Sequence, residues 1–198
     1  MGNGYAYQIW LSSSTTGTNC GTVYGTDAAF KANWNMGSGG DFLARVGLSF
    51  DQTKTFDQIG TISSDYANTK TGNGQAYIGI YGWTVSPLIE YYIVEDWNVW
   101  RPNFTLKGTI TVDGAQYDIY THTQTNQPSI QGTATFQQWY SVRKTGRQCG
   151  HISISGHFKQ WVSMGGAQLG KMYEAKLLVE ALGGSGTVDF TKGTVVVN

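Results

Sequence analysis

Tyr81-Gly82-Trp83-Thr84-Val85-Ser86-Pro87-Leu88-Ile89-Glu90-Tyr91-Tyr92-Ile93-Val94-Glu95 places a carboxylate, Glu90, in the middle of an otherwise aromatic and β-branched run. That composition predicts a strand over 88–95. With a two-residue period, Leu88, Glu90, Tyr92 and Val94 share one face, and Ile89, Tyr91, Ile93 and Glu95 share the other. The odd-numbered face suits packing between two sheets, which makes Glu95 a structural residue. Glu90 and Tyr92 then look out from the opposite face, whose mixture of rings and a carboxylate reads as the lining of a groove. Burying that charge costs on the order of several kcal/mol unless partners compensate. Two readings stay open from this segment alone: a glutamate solvated at the rim of a sheet, or a group whose neighbours tune it for a chemical task.

Outward from this strand the chain continues in the same manner. Strand-like pieces recur at 5–11, 42–50, 57–64, 76–83, 106–112, 115–123, 133–143, 149–155, 173–180 and 187–197. Thr71-Gly72-Asn73-Gly74, Asp113-Gly114 and Gly183-Gly184-Ser185-Gly186 are turn signals between them. Asp113-Gly114, flanked by alternating runs, predicts a hairpin with a type I′ turn. One helix is predicted over about 155–164: Ser155 caps it, Phe158, Trp161 and Val162 follow helical spacing, and Gly165-Gly166 stops it. The expected fold is all-β, a two-sheet jelly-roll sandwich with one sheet curved around a cleft and a single α-helix.

Composition narrows the partners. A chain of 198 residues suits a single domain over 1–198 with a substantial core. Charged residues make up 13%, against roughly 25% in an average soluble protein, while aromatics reach 14%. The 13 basic and 13 acidic residues cancel and leave no electrostatic footprint for nucleic acid or an anionic membrane. No apolar run approaches the roughly 20 residues of a membrane-spanning helix. No signal-peptide pattern precedes the first strand, so either the protein is cytoplasmic or a targeting segment has been removed. Cys20 and Cys149 match no metal spacing. One disulfide is the expectation for a secreted protein, with two free thiols as the alternative.

Near the C-terminus, Lys176-Leu177-Leu178-Val179-Glu180-Ala181-Leu182 repeats the pattern of a lone carboxylate in an apolar strand. Two carboxylates on facing or adjacent strands are what glycoside hydrolysis needs. One protonates the departing sugar oxygen and the other supports positive charge at the anomeric carbon. Aromatic rings would stack on the C–H face of the sugar. Other chemistries lack their residues. His122, His151 and His157 form no HExxH pair, no G-x-S-x-G elbow presents a serine, and Gly37-Ser38-Gly39-Gly40 resembles a phosphate loop only in glycine content. No metal and no cofactor are expected.

With both glutamates placed, the chain resembles the family 11 glycoside hydrolases, small β-jelly-roll endo-1,4-β-xylanases. The 81–95 segment is that family's most diagnostic signature. Asp113-Gly114-Ala115-Gln116-Tyr117-Asp118-Ile119-Tyr120, Asn126-Gln127-Pro128-Ser129-Ile130-Gln131-Gly132, Phe136-Gln137-Gln138-Trp139-Tyr140-Ser141-Val142-Arg143 and His157-Phe158 follow in family order. The match covers essentially the whole chain. It implies a secreted, monomeric enzyme acting on xylan and xylo-oligosaccharides by a retaining mechanism, with Glu90 as nucleophile and Glu180 as acid/base. It also implies that Tyr81 and Tyr92 surround the nucleophile, that Trp10 stacks a xylose on the non-reducing side, and that Gln138 reaches the substrate. Pro128-Ser129-Ile130 matches the tip of a thumb-like hairpin loop, and Trp83 and Trp139 are read as packing residues. Asp41 lies where the family places Asn or Asp beside the acid/base, and Asp there implies an acidic optimum.

Three departures stand out. Gln124 occupies the place of an arginine near the thumb base. Ala181-Leu182-Gly183 lacks the aromatic that usually follows the acid/base, and Val46-Gly47-Leu48 stands where many relatives have Lys-Gly-Trp. A non-catalytic carbohydrate-binding sandwich and a β-1,4-glucanase of the related jelly-roll clan are the alternatives to a xylanase.

Overall fold

The computed structural model describes residues 4–25, 27–37, 39–99, 103–165 and 168–198. One eight-stranded sheet runs in the order β1 (Tyr5–Leu11), β4 (Phe42–Ser49), β12 (Lys171–Ala181), β6 (Ala76–Val85), β7 (Ile89–Asn98), β10 (Gly132–Arg143), β9 (Ala115–Ser129) and β8 (Thr105–Val112). The second sheet runs β11 (Cys149–Ile152), β5 (Ile62–Gly72), β13 (Ser185–Gly193), β3 (Phe30–Asn35) and β2 (Thr18–Val23), and β14 (Val196–Val197) pairs with β5. Among the described residues two helices complete the fold, the short α1 (Phe56–Ile59) and α2 (Ile154–Ser163). The β7–β10 pair is parallel, whereas both neighbours of β6 are antiparallel to it.

The two faces of β7 separate as its alternation predicts. Ile89, Tyr91 and Ile93 join Phe30, Phe190 and Leu177 in the core between the sheets. Tyr92 and Val94 belong to a distinct cluster with Tyr81, Trp83, Phe136 and Tyr140 on the other side of the eight-stranded sheet. Glu95 is fully buried on the inter-sheet side. It accepts from Tyr117 OH at 2.6 Å and Arg147 Nε at 2.5 Å, which replace the water it has lost. Gly82 admits a close crossing: a Cβ there would lie 2.3 Å from Tyr91 OH and 2.2 Å from the Glu174 carbonyl oxygen. That carbonyl accepts from Tyr91 at 2.6 Å, so the glycine lets a core tyrosine tie β7 to β12.

Several local expectations are corrected. The strand expected at 57–64 is α1 followed by the start of β5. Thr55 and Gln58 form a reciprocal cap there, and Phe56 packs edge-on against Phe158 at 5.4 Å. Residues 18–23 form a strand without an apolar alternation because β2 lies at a sheet edge. The 187–197 run divides into β13 and β14, and β9 extends to Ser129 because its polar outer half pairs with β10. Helix α2 begins ahead of Ser155. Ser153 takes the cap position and bonds Asp113, while Ser155 Oγ accepts from Ile62 N at 2.9 Å. Gly165 follows the helix with φ +73°, and Gly166 lies outside the described residues. Asp113 and Gly114 both have positive φ, 50° and 71°, as a type I′ turn requires.

The expected disulfide does not form. Cys20 and Cys149 are exposed free thiols on β2 and β11, at opposite edges of the second sheet. Three strands separate them, so they stand about 19 Å apart at the usual strand spacing, against the roughly 7 Å limit between bridged Cα atoms.

Candidate active site

On the side of the eight-stranded sheet that faces away from the core lies a cleft of about 500 Å³. Strands β7 and β12, which flank β6, supply its two glutamates. Glu90 stands opposite Trp83 and Gln138 in the neighbouring strands, and Glu180 stands opposite Tyr77 and Leu43. Each is only 7% exposed, so neighbouring groups rather than bulk water decide the charge of each.

Those neighbours differ sharply. Glu90 Oε1 accepts from Tyr81 OH at 2.6 Å and Tyr92 OH at 3.2 Å, and Oε2 accepts from Gln138 Nε2 at 2.6 Å. Trp83 Nε1 in turn donates to Tyr81 OH at 2.5 Å, which orients that hydroxyl toward Glu90. Burial raises the Glu90 pKa above its ordinary value, and the three donors together with Arg45 offset part of that rise. Glu180 has no such set, and its Oε2 lacks a hydrogen-bond partner among the described residues. Burial raises its pKa well above the usual carboxylate range, and the nearby charges of Asp41 and Glu90 raise it further. The Tyr92 hydroxyl, whose proton goes to Glu90, opposes this rise in part. Environments that drive two carboxyls apart in this way separate a charged nucleophile or base from a neutral acid.

Asp41, in the loop ahead of β4, adjoins Glu180. Its Oδ1 is a second buried oxygen without a donor when both groups are charged. A proton held between the two carboxyls provides the missing donor, so the pair titrates as a unit. Burial, then the Glu90 charge, push Asp41 up to about 7, with the Glu180 hydrogen bond opposing them. The Asp41 backbone N–H is fixed by Ser12 Oγ at 3.1 Å and Thr15 Oγ1 at 2.9 Å.

The structure brings every site residue named from the sequence to this one cleft. Trp10 lies at its rim on the outermost strand β1, 38% exposed and with its ring free to stack. Pro128, Ser129 and Ile130 form the tip of the β9–β10 hairpin and also line it. Ser129 shapes this tip, donating to the Gly132 carbonyl at 2.7 Å and accepting from Gln131 N at 3.0 Å. Trp83 lines the cleft although it is buried, whereas Trp139 sits in the core. Gln124 donates to Gln138 Oε1 at 3.4 Å, one residue removed from Glu90.

Sequence reasoning missed Arg45, Glu174 and Lys176, which form a buried charged group beside Tyr81. The signal was available: Arg45 interrupts the apolar strand 42–49 as Glu90 interrupts its own. Glu174 and Lys176 share the strand face of Glu180. A second depression of about 460 Å³ lies on the other sheet around Cys20, Asn33 and Thr187, and no carboxylate lines it.

Comparison with known proteins identifies the family. The sequence matches the family described as Glycosyl hydrolases family 11 over residues 2–191. The chain belongs to that family. Among its relatives, "Endo-1,4-beta-xylanase C" of Fibrobacter succinogenes is 50% identical over 193 residues, covering 94% of this chain and 30% of that protein. "Endo-1,4-beta-xylanase A" of Bacillus pumilus is 44% identical over 191 residues, covering 96% of this chain and 81% of the other. The solved structure of wild-type ENZbleach xylanase superposes with a TM-score of 0.86 at 38% identity, over 98% of this chain and 80% of that one. This family 11 chain spans only about a third of the Fibrobacter protein and, at 29%, of a Thermoclostridium stercorarium relative.

Proposed function

We propose that this family 11 chain is an endo-1,4-β-xylanase, a single catalytic domain that hydrolyses internal β-1,4 bonds of xylan outside the cell and acts as a monomer. The observation that carries the reading is the split environment of two buried carboxyls in one cleft, with three donors on Glu90 and an oxygen of Glu180 left without one beside Asp41. The names of the relatives support xylan as the substrate.

In the first step an ionised Glu90 oxygen attacks the anomeric carbon as the glycosidic C–O bond breaks. Glu180 gives its proton to the departing oxygen. The product is a glycosyl ester of Glu90, whose negative charge is consumed in forming it. Glu180 then loses one of the charges that raised its pKa, so its carboxylate stays ionised and takes a proton from water. The hydroxide equivalent attacks the anomeric carbon as the ester bond to Glu90 breaks, and the proton already taken from water leaves Glu180 as the acid of the next cycle. Tyr81 and Gln138 hold the nucleophile between them, Trp10 offers a stacking face, and the Pro128–Ile130 tip closes over the sugar.

Comparison of xylan with carboxymethylcellulose tests this function through the release of reducing ends. Rapid release from xylan and little from carboxymethylcellulose is expected, because xylose lacks the hydroxymethyl arm that a narrow cleft would reject. Activity on the cellulose derivative alone contradicts the xylanase reading. Binding of xylan without any hydrolysis would indicate a carbohydrate-binding module.

The Asp41–Glu180 pair makes the activity depend on pH in a definite direction. A neutral Asp41 can donate to Glu180 and stabilise the carboxylate left after proton transfer. An ionised Asp41 holds the Glu180 proton back. The rate is therefore expected to fall as pH rises through about 7, where Asp41 ionises, giving an acidic optimum. Asn in its place donates at every pH, so Asp41→Asn is expected to move the descending limb and the optimum upward by on the order of one pH unit. A downward shift in the pH–rate profile contradicts this account of the pair.

A further inference from the structure

Arg45 on β4 and Glu174 and Lys176 on β12 bring three charges to the cleft side of the sheet. Glu174 and Lys176 are fully buried and Arg45 is 8% exposed. Lys176 Nζ donates to Glu174 Oε2 at 2.6 Å, and Arg45 Nε lies 3.2 Å from Glu174 Oε1. Gln8 Oε1 accepts from both cations, at 2.7 Å from Lys176 and 3.0 Å from Arg45. Two cations thus share one carboxylate, and no other carboxylate pairs with them among the described residues. The triad carries one surplus positive charge, and burying such a charge is costly unless a nearby anion offsets it.

The contacts lead from that surplus to Glu90. The Arg45 guanidinium carbon sits 4.9 Å from the centre of the Tyr81 ring, and Tyr81 OH donates to Glu90 at 2.6 Å. Around Glu90, β6 and β7 contribute Tyr77, Tyr81 and Tyr92, and β10 contributes Tyr140 and Gln138. His122 stands opposite Gln138 on β9, and Asp41 and Glu180 hold the other carboxyls of the cleft. Arg45 is the one arginine or lysine lining the cleft among the described residues. Gln124, next to Gln138, brings a donor without a charge.

We propose that Arg45 is a positioning residue: as the surplus member of the Arg45–Glu174–Lys176 triad, it supplies across the Tyr81 ring the positive charge that balances the Glu90 carboxylate. This rests on the reading of Glu90 as the nucleophile, which must be ionised to attack. Burial is the main influence on Glu90 and works against ionisation. The donors from Tyr81, Gln138 and Tyr92 oppose burial, and Arg45 acts with them.

The test follows the Glu90 carboxyl directly by ¹³C NMR titration, assigned from its loss in Glu90→Gln, together with the pH profile of kcat/KM. Arg45→Met makes the triad neutral, and both the Glu90 titration and the acid limb are expected to rise by on the order of one pH unit. That is the size of a unit-charge interaction across about 10 Å at an effective dielectric near 20. Glu174→Gln doubles the surplus and should move both downward, which keeps the proposal testable if Arg45→Met does not fold. Arg45→Lys should restore the wild-type values. A Glu90 titration unchanged in every folded variant of the triad overturns the proposal, whatever happens to activity. A Glu90 titration that moves while the acid limb stays fixed supports the electrostatic role of Arg45 and contradicts the assignment of Glu90 as nucleophile.

Discussion

Glu90→Gln is expected to reduce kcat/KM on xylan by roughly 10⁴-fold or more while leaving xylo-oligosaccharide binding within a few-fold of wild type. The amide has the shape of the carboxylate, so Tyr81 and Tyr92 still have an oxygen to meet. Gln138 Nε2 faces Oε2 in the wild type and would confront an amide nitrogen, which a flip of its own amide relieves. The fold therefore survives and the nucleophile does not. Calorimetric titration with a xylo-oligosaccharide alongside the kinetics separates the two effects. Substantial hydrolysis by the purified variant would remove Glu90 from the chemistry.

Glu180→Ala should behave differently, because the proton it supplies is needed in proportion to the basicity of the leaving group. On xylan the loss is expected to be about 10²–10⁴-fold, the usual contribution of a positioned acid. On an aryl xyloside with a dinitrophenolate leaving group, the first step should proceed at close to the wild-type rate. The glycosyl-enzyme would then accumulate, since no base activates water. Azide, which needs no base, should restore turnover and yield a β-xylosyl azide. An equal loss on both substrates, with no rescue by azide, would give the acid/base role to another group. The Glu90→Gln and Glu180→Ala proteins thus differ in their response to the leaving group, a contrast that general destabilisation does not produce.

The strand period was enough to place Glu90, Tyr92 and the core face of β7, because both faces of that strand are buried and a one-residue slip would exchange them. The Asp113-Gly114 turn was equally legible, since few residue pairs accept positive φ twice in succession. Short elements were not. Helix α1 is a single turn, stabilised by the Thr55–Gln58 cap and the Phe56–Phe158 contact, which joins residues far apart in the chain. The cysteines misled because their pairing depends on strand order, and that order places β2 and β11 at opposite edges of one sheet. At the site, the ten residues named from the sequence and the family resemblance share one cleft. The Arg45 triad was not legible as a group because Arg45 lies far along the chain from Glu174 and Lys176 and meets them only when β4 pairs with β12. Gln124 supplies a donor to Gln138 but no positive charge, and Arg45 introduces one from the opposite side of Glu90.

An ionised Glu90 that attacks carbon must invert the anomeric centre, and water must invert it again, so hydrolysis by this route retains configuration. Proton NMR of xylo-oligosaccharide hydrolysis, recorded before mutarotation mixes the anomers, tests this most directly. The β-anomer of the newly formed reducing end is expected first, with the α-anomer growing in later. Initial release of the α-anomer would mean a single displacement by water, with Glu90 acting as a base and not as a nucleophile.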